Sequence, residues 1–269
     1  MELLKHVFFI NLEERKDRLE HTINEFKKLN INNSERFNAV KTKSGAIGCS
    51  LSHIKCLELA KERGYEQIFI CEDDITFLNP ELLLENLTKF NEAIKQRKFD
   101  NLLYRRNKKN GEFESSAHEN GWDVIIIGGN NGPPSIKILD FCRRVYNCQT
   151  GTGYIVKKHY YDVLINNMKE GVRQLIKNPD NKHQYTLDMY WKLLQQHDNW
   201  FMIIPPTVIQ YGNYSNIEKK NVDYKQLMLD LDKDWLFPQR NVENPIKKES
   251  TPTIIPNPTF YNMTYHCGK

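Results

Sequence analysis

Short apolar runs and helical periodicities alternate through the first hundred residues. Residues 6–12 and 67–71 are continuous apolar runs of strand length, and residues 36–40 form a shorter run between them. Apolar side chains recur at helical spacing over residues 15–29 and again after residue 80. This alternation predicts βαβ units, and therefore an α/β fold with a mostly parallel central sheet. In such a sheet, ligands bind beyond the carboxyl ends of the strands.

Capping residues set the predicted helix boundaries. Gly45 and Gly48 indicate a loop after the second strand, and Ser50 offers a hydroxyl N-cap. The second helix is therefore expected over residues 51–63, with Gly64 in the C′ position. A third helix is expected from residue 80, because an Asn-Pro pair at 79–80 is typical of a helix start.

The second half of the chain is less regular, and glycine-rich segments suggest turns. Residues 128–134 and 151–153 have turn-forming composition. The other predicted elements are strands over 101–104, 123–127, 154–156 and 200–204, and helices over 159–168 and 186–194. Residues 218–269 are polar and punctuated by proline. We expect residues 1–217 to form one domain and residues 218–269 an extended C-terminal tail that packs on it.

Composition excludes several classes of protein. The chain has 269 residues, a net charge of +4 and 39% hydrophobic residues, values that suit a globular domain rather than a disordered or polybasic chain. Nucleic acid is therefore not an expected partner. No apolar run has the length of a membrane helix, and the first residues do not resemble a signal peptide. The six cysteines form no C-x-x-C pair, so we expect reduced thiols and a cytoplasmic protein.

Three consecutive acids, Glu72, Asp73 and Asp74, follow the apolar run 67–71 directly. At this position a parallel sheet delivers side chains to its ligand crevice. If the strand geometry continues, Glu72 and Asp74 point to one face and offer two oxygen ligands to Mg²⁺ or Mn²⁺. The structural alternative is a solvated or helix-capping turn. Because the Asn-Pro pair at 79–80 already caps the next helix, we favour the metal interpretation.

Three other positions each have a functional and a structural interpretation. Arg18, together with Arg15, could meet a diphosphate after the first strand, or be an ordinary exposed helix residue. His53 shares an inward helical stripe with Cys49 and could be a core histidine or a neutral partner for a ribose or sugar. Asp188 could be a general base toward an acceptor hydroxyl, or a first-turn carboxylate. Spacing alone leaves these alternatives open.

Taken in order, these segments resemble glycosyltransferase family 25, which contains bacterial lipooligosaccharide glycosyltransferases and the collagen galactosyltransferases. The similarity rests on residues 7–12 with the two arginines that follow, on 36–40, on 45–53 (GAIGCSLSH) and on 70–74 (ICEDD). Weaker agreement extends over 151–154, Asp188 and 205–210. The resemblance implies a GT-A-type, Rossmann-like nucleotide-sugar-binding domain.

The resemblance also implies a reaction, in which a hexose passes from a UDP-sugar to a hydroxyl of a glycan or a hydroxylated polypeptide, with inversion. By position, Glu72 and Asp74 would hold Mn²⁺ or Mg²⁺, and Asp188 would be the base. The remaining positions would contact the donor: Ile10, Asn11, Leu12 and Val40 at the nucleotide, Asp73 at the ribose, Arg18 at the phosphates or supporting the loop, and Gly153 and Tyr154 near the sugar.

Two other functions remain as alternatives. The first is a non-catalytic nucleotide- or glycan-binding module of the same fold, because the sequence assigns no third metal ligand. The second is a nucleotidyl- or phosphotransferase, which finds less support because the chain has no phosphate-binding G-x-x-x-x-G-K-[ST] loop.

Overall fold

The computed structural model describes residues 2–99, 103–106, 113–115, 121–215 and 217–233. The chain divides into two units, residues 1–232 and residues 233–269. The second unit, apart from Lys233, lies outside the described residues, as do most of the residues between the strands predicted over 101–104 and 123–127. The predicted boundary at residue 217 stays a prediction, as does the packing of the tail.

Strands and helices alternate along the described part of the chain. The strands are β1 (Val7–Asn11), β2 (Ser34–Asn38), β3 (Gln67–Glu72), β4 (Ile75–Phe77), β5 (Tyr104–Arg106), β6 (Phe113–Ser115), β7 (Val124–Asn131), β8 (Ser135–Leu139), β9 (Cys142–Val145), β10 (Cys148–Lys157), β11 (Trp200–Ile203), β12 (Val208–Gln210), β13 (Asn213–Ser215) and β14 (Lys220–Val222). The α-helices are α1 (Lys16–Lys28), α2 (Gly45–Glu62), α3 (Pro80–Lys95), α4 (Tyr161–Lys177), α5 (Lys182–Tyr185), α6 (Leu187–Tyr190), α7 (Lys192–Gln195) and α8 (Lys225–Leu229).

An eight-stranded mixed sheet forms the centre of the first unit, in the order β2-β1-β3-β10-β7-β11-β9-β8. β1 pairs in parallel with β2 and β3, and β7 pairs in parallel with β11. β10 lies antiparallel between β3 and β7, and β9 is antiparallel to both β11 and β8. All strands of this sheet except β9 and β10 therefore share one direction. The predicted α/β fold with a mostly parallel sheet is confirmed.

Helices cover both faces of the sheet, so its inner strands are buried on two sides. All five residues of β1 are buried. Phe9 lies with Phe26 of α1 and Phe90 of α3 in the apolar core on one face, while Phe8 lies with Leu57 of α2 in the core on the other. A strand covered on both faces has no polar side, which explains why the strands appear in the sequence as continuous apolar runs.

The start of α2 differs from the prediction. The helix begins at Gly45 after Ser44, and the Ser50 hydroxyl donates a hydrogen bond to the Ala46 carbonyl instead of capping the helix. The glycine at position 48 had indicated a loop. In the structure a Cβ at Gly48 would collide with the Val40 carbonyl oxygen, so this glycine allows a close approach of helix and loop.

The two glycine-rich turns predicted in the second half are largely strand. β7 continues through Asn131, and β10 begins at Cys148. A Cβ at Gly129 would lie 2.8 Å from the Cys148 sulfur, and one at Gly153 would lie 2.9 Å from Ile75. These glycines leave room for side chains of neighbouring strands, a requirement that the local sequence does not distinguish from a turn.

Other elements differ in extent. The helix predicted over 159–168 continues as α4 to Lys177, and the one predicted over 186–194 is interrupted at Trp191 and forms α6 and α7. The β8–β9 hairpin was not predicted. In the described part of the chain, the helices are all too short or too polar to cross a membrane.

We expect Gly48→Ala to lower the free energy of unfolding, although alanine is ordinarily the better helix former by about 1 kcal/mol. The added Cβ forces the helix or the Val40 loop to shift. Thermal denaturation should therefore show a lower Tm. Lys55→Ala, at an exposed position of the same helix, is the control and should change stability by no more than about 0.5 kcal/mol. A Tm for Gly48→Ala at or above the wild-type value would contradict the close approach.

Candidate active site

The carboxyl ends of three parallel strands meet at one edge of the sheet. β1 ends at Asn11, β2 at Asn38 and β3 at Glu72. β10 runs in the opposite direction, so its first half reaches the same edge, with Gly153 in register with Cys71. The edge therefore gathers residues from distant parts of the chain, as predicted for ligand sites in sheets of this kind.

Glu72 is the last residue of β3, and Asp73 and Asp74 form the turn into β4. The turn is held from outside, because β4 pairs with β12 and the Tyr211 N–H donates to the Asp74 carbonyl at 2.6 Å. Since the strand ends at Glu72, its two-residue alternation does not extend to Asp74. Glu72 contacts α2, whereas both aspartates contact α1 through Arg18.

Arg18 bridges the two aspartates. Its Nη1 donates to Asp73 Oδ1 at 2.8 Å and to Asp74 Oδ2 at 3.0 Å, and its Nη2 donates to the Tyr214 carbonyl at 3.2 Å. The Arg18 side chain is 12% exposed. In the structure Arg18 thus supports the acidic turn, while Arg15 pairs with Asp17 on the same helix.

Asp73 is fixed by a second set of contacts. Asn11 Nδ2 donates to Asp73 Oδ2 at 2.7 Å, and the Thr22 hydroxyl donates to the Asp73 carbonyl at 3.0 Å. Arg36 in turn donates to Asn11 Oδ1 at 2.8 Å. Burial raises the pKa of Asp73 although Arg18 and Asn11 oppose it. The Asn11 side chain is therefore engaged with protein groups.

Asp74 is the least compensated of the three acids. Its Oδ2 accepts from Arg18 and from Gln210 Nε2 at 2.9 Å, but its buried Oδ1 has no hydrogen-bond partner. Burial, and then the charge of Glu72, raise the pKa of Asp74 to about 7. An orphaned carboxylate oxygen beside a second carboxylate fits a hard divalent cation, which takes oxygen ligands. The residues present therefore fit Mn²⁺ or Mg²⁺.

Glu72 lies against two residues of α2. Its Oε1 is 3.4 Å from His53 Nε2 and 3.7 Å from Cys49 Sγ. Burial raises the pKa of Glu72, but the contacts with His53 and the charge of Arg18 outweigh it and lower the pKa. Burial and the charge of Glu72 raise the pKa of the Cys49 thiol. His53 is fully buried and its Nδ1 is 2.7 Å from the Tyr154 hydroxyl.

The remaining positions that were predicted to contact the nucleotide lie along the same edge. Ile10 is in register with Glu72, and Leu12 follows the end of β1. The Val40 N–H donates to the Ser52 hydroxyl at 2.8 Å, which ties the loop after β2 to α2. These backbone contacts place the first three strand ends side by side.

Asp188 lies in the first turn of α6 and contacts β10. Its Oδ2 accepts from the Thr150 N–H and its Oδ1 from the Thr186 hydroxyl, both at 3.0 Å. Thr150 has a φ of 79°, in the left-handed region that residues other than glycine rarely adopt. The carboxylate thus compensates a strained strand position, and its charge also acts on Cys49.

Sequence reasoning missed several participants. The sequence places Cys49 on one helical stripe with His53 but gives it no role beside the acids, where its Sγ lies 3.7 Å from Glu72 Oε1. Gln210 and Thr150 gave no signal, because their contacts with Asp74 and Asp188 join residues far apart in the chain.

Several solved structures are similar to the chain at low sequence identity. Solved structures similar to it include A197 from STIV (12% identity, covering 82% of this chain and 94% of that one, TM-score 0.41). A glycosyltransferase involved in glycosylation of the major capsid of PBCV-1 is 9% identical (84% and 88% covered, TM-score 0.39). A mutant of Drosophila beta-1,4-galactosyltransferase 7, in complex with manganese, UDP-Gal and xylobiose, is 15% identical (60% and 52% covered, TM-score 0.30).

At these scores the structural likenesses carry no argument about donor, acceptor or metal. No curated protein matches the sequence significantly. The family model of glycosyltransferase family 25 (LPS biosynthesis protein) matches residues 43–180, more than half of the chain, from the start of α2 through the acidic turn and β10 to α4. The chain therefore belongs to glycosyltransferase family 25 and is a glycosyltransferase.

Proposed function

We propose that this glycosyltransferase depends on a divalent metal and moves a hexose from a UDP-sugar to a hydroxyl of a glycan or a hydroxylated polypeptide, with inversion. The observation that carries the proposal is the buried Oδ1 of Asp74, which has no hydrogen-bond partner although its carboxylate lies beside two others. Positive charge stabilises a cluster of carboxylates. Arg18 supplies one positive charge, and a bound metal ion would supply the rest.

Glu72 and Asp74 would hold Mn²⁺ or Mg²⁺ through carboxylate oxygens. When bound, such an ion neutralises the charge that develops on the departing nucleoside diphosphate. Arg18 keeps Asp73 and Asp74 in place with its two contacts from Nη1. Its role in the proposal is to orient the acids, since its donors are directed at the aspartates and at the Tyr214 carbonyl.

The donor nucleotide would lie along the ends of β1 and β2. In the proposal, residues 10–12 and Val40 line the nucleotide, and Asp73 approaches the ribose. Support comes from hydrogen bonds that anchor this edge: the Val40 N–H donates to the Ser52 hydroxyl, and the Asn11 side chain donates to the Asp73 carboxylate. Such anchoring lowers the cost of ordering the site when the donor binds.

The acceptor would enter near β10 and α6. Asp188 would take the proton of the acceptor hydroxyl, and Gly153, Tyr154 and His53 would support the sugar side of the site. Tyr154 and His53 are already joined by the 2.7 Å contact behind Glu72. Transfer of the hydroxyl proton to Asp188 makes the acceptor oxygen a stronger nucleophile.

UDP is expected to stabilise the protein only when Mn²⁺ is present, and Asp74→Asn should abolish that stabilisation. At a UDP concentration of 100 times Kd, the free energy of unfolding should rise by about 2.7 kcal/mol. Differential scanning fluorimetry measures the shift in Tm with UDP, with Mn²⁺, with both, and after chelation.

Asp140→Asn is the matched control for this measurement, because Asp140 is a 95% exposed aspartate paired with the surface residue Lys137. It should keep the full shift. Stabilisation by UDP that is equal with and without Mn²⁺, or that persists in Asp74→Asn, would contradict the metal proposal. Stabilisation without release of UDP from any of a panel of UDP-sugars would instead support the non-catalytic binding module.

Asp188→Asn should lower kcat by about 10²–10⁴-fold and leave the donor KM unchanged, because the amide cannot take a proton. The amide oxygen can still accept from the Thr150 N–H, so the contact with β10 is retained. Steady-state kinetics of UDP release measures both constants, with exposed Asp180→Asn as the control. A variant with wild-type kcat would show that Asp188 only holds the strand.

The five cysteines within the described residues are all free thiols, which suits a reducing compartment. A cytoplasmic location stays a prediction.

A further inference from the structure

Three potential metal ligands of different chemistry meet behind the acidic turn. Cys49 and His53 lie one turn apart on α2, and Glu72 ends β3. One ligand atom from each, a sulfur, a nitrogen and an oxygen, lie within 4.8 Å of one another. The oxygen-rich pair of Glu72 and Asp74 suits a hard ion, whereas this group combines thiol, imidazole and carboxylate.

Two of the three separations between these atoms are close to those around a tetrahedral ion. Ligands of Zn²⁺ lie about 2.3 Å (sulfur), 2.0–2.1 Å (nitrogen) and 2.0–2.2 Å (oxygen) from the metal, so at tetrahedral angles neighbouring ligand atoms are about 3.3–3.6 Å apart. Glu72 Oε1 is 3.4 Å from His53 Nε2 and 3.7 Å from Cys49 Sγ. The third pair, Cys49 Sγ and His53 Nε2, lies within 4.8 Å.

His53 is already oriented as a ligand. Its Nε2 is buried and has no hydrogen-bond partner, and it is directed at Glu72. Its Nδ1 lies 2.7 Å from the Tyr154 hydroxyl, and the two rings are stacked. Metal-binding histidines typically use one ring nitrogen for the ion and the other for a hydrogen bond that fixes the ring. A buried Nε2 that makes no hydrogen bond with any described residue is therefore a second observation that points to an ion.

Gly151 keeps the space in front of these ligands free. A Cβ at this position would lie 2.9 Å from Glu72 Oε1 and 3.4 Å from His53 Cε1. Any larger residue would press on the ligand atoms. Because Glu72 is 21% exposed, the group is also reached from solvent.

We propose that Cys49, His53 and Glu72 form a binding site for Zn²⁺ or a similar thiophilic divalent ion, with a fourth position left open. The mixed sulfur, nitrogen and oxygen set is typical of zinc and its borderline neighbours, and is a poor set for Mn²⁺ or Mg²⁺. On binding, the Cys49 S–H proton passes to solvent and the thiolate coordinates the ion.

The site shares Glu72 with the donor-metal site. If the proposed function holds, on which this consequence alone rests, Glu72 is shared between two cations that repel each other. Zinc then weakens the binding of Mn²⁺ and lowers the rate of transfer. The rate of glycosyl transfer would then fall as the concentration of free Zn²⁺ rises.

Binding is tested with the chelator-treated full chain and a reductant, in the absence of nucleotide. Co²⁺ is the spectroscopic probe, because a thiolate ligand gives a charge-transfer band that oxygen and nitrogen ligands do not. We expect one equivalent of Co²⁺ to produce this band and Zn²⁺ to displace it. Cys49→Ser should remove the band and weaken Zn²⁺ binding at least about tenfold. Loss of a residue that only hydrogen-bonds a metal ligand already lowers metal affinity by about 10–100-fold, and loss of a ligand should lower it no less.

Cys56→Ala, which changes a buried cysteine on the same helix, is the matched control and should keep the band. Tyr154→Phe retains the ring but removes the hydroxyl that orients His53, so it should weaken Zn²⁺ binding about 10–100-fold while the band survives at saturation. This variant keeps the test decisive if Cys49→Ser folds poorly.

Absence of the band in the wild type, or an undiminished band in Cys49→Ser, would overturn the proposal. Unchanged Zn²⁺ affinity in Tyr154→Phe would also count against it, since the ion would then not be held through an oriented His53. None of these measurements involves a UDP-sugar, so their outcome is separate from that of the proposed glycosyl transfer.

Discussion

The arrangement of the site depends on how the fold tolerates three neighbouring carboxylates at the end of a buried strand. Two like charges 4 Å apart repel each other by about 4 kcal/mol at the effective dielectric constant near a protein surface. Arg18 contacts two of the three from α1, and His53 contacts the third from α2. Two helices on opposite faces of the sheet therefore each contact part of the same acidic segment, and Arg18 supplies a positive charge to it.

The charge and hydrogen-bonding capacity of the three acids are only partly compensated. Asp73 has a partner on each side-chain oxygen, while Asp74 has an oxygen without one. A turn that served only the fold would be expected to satisfy its buried acids, since each unsatisfied polar atom destabilises the native state by about 1–3 kcal/mol. Groups left in this condition cluster at sites that bind charged ligands.

β10 brings residues from the second half of the chain to the acids. It is inserted antiparallel between β3 and β7, and it brings the backbone of Thr150 to Asp188 and Gly151 to Glu72. Glycine at 151 and 153 allows this approach, because a Cβ at either position would meet a neighbouring side chain at 2.9 Å. The strand thus connects the proposed metal-binding and acceptor sides, which come from segments more than a hundred residues apart in the chain.

The sequence by itself determined the alternating strands and helices of the first hundred residues, the edge at which the acids lie, and the family. These follow from local signals: continuous apolar runs for strands buried on two faces, an Asn-Pro pair that caps α3 with the Asn79 side chain, and Gly64 at a positive φ after α2. Only the tertiary structure decided what the glycines do and which partner each acid has. Gly48, Gly129 and Gly153 resemble turn residues in the sequence but lie in a helix or in strands. Glycine is needed at these positions because atoms of other segments occupy the space that a side chain would take. Likewise, the grouping of Cys49 and His53 with Glu72 depends on packing α2 against β3, a long-range contact that no local pattern encodes.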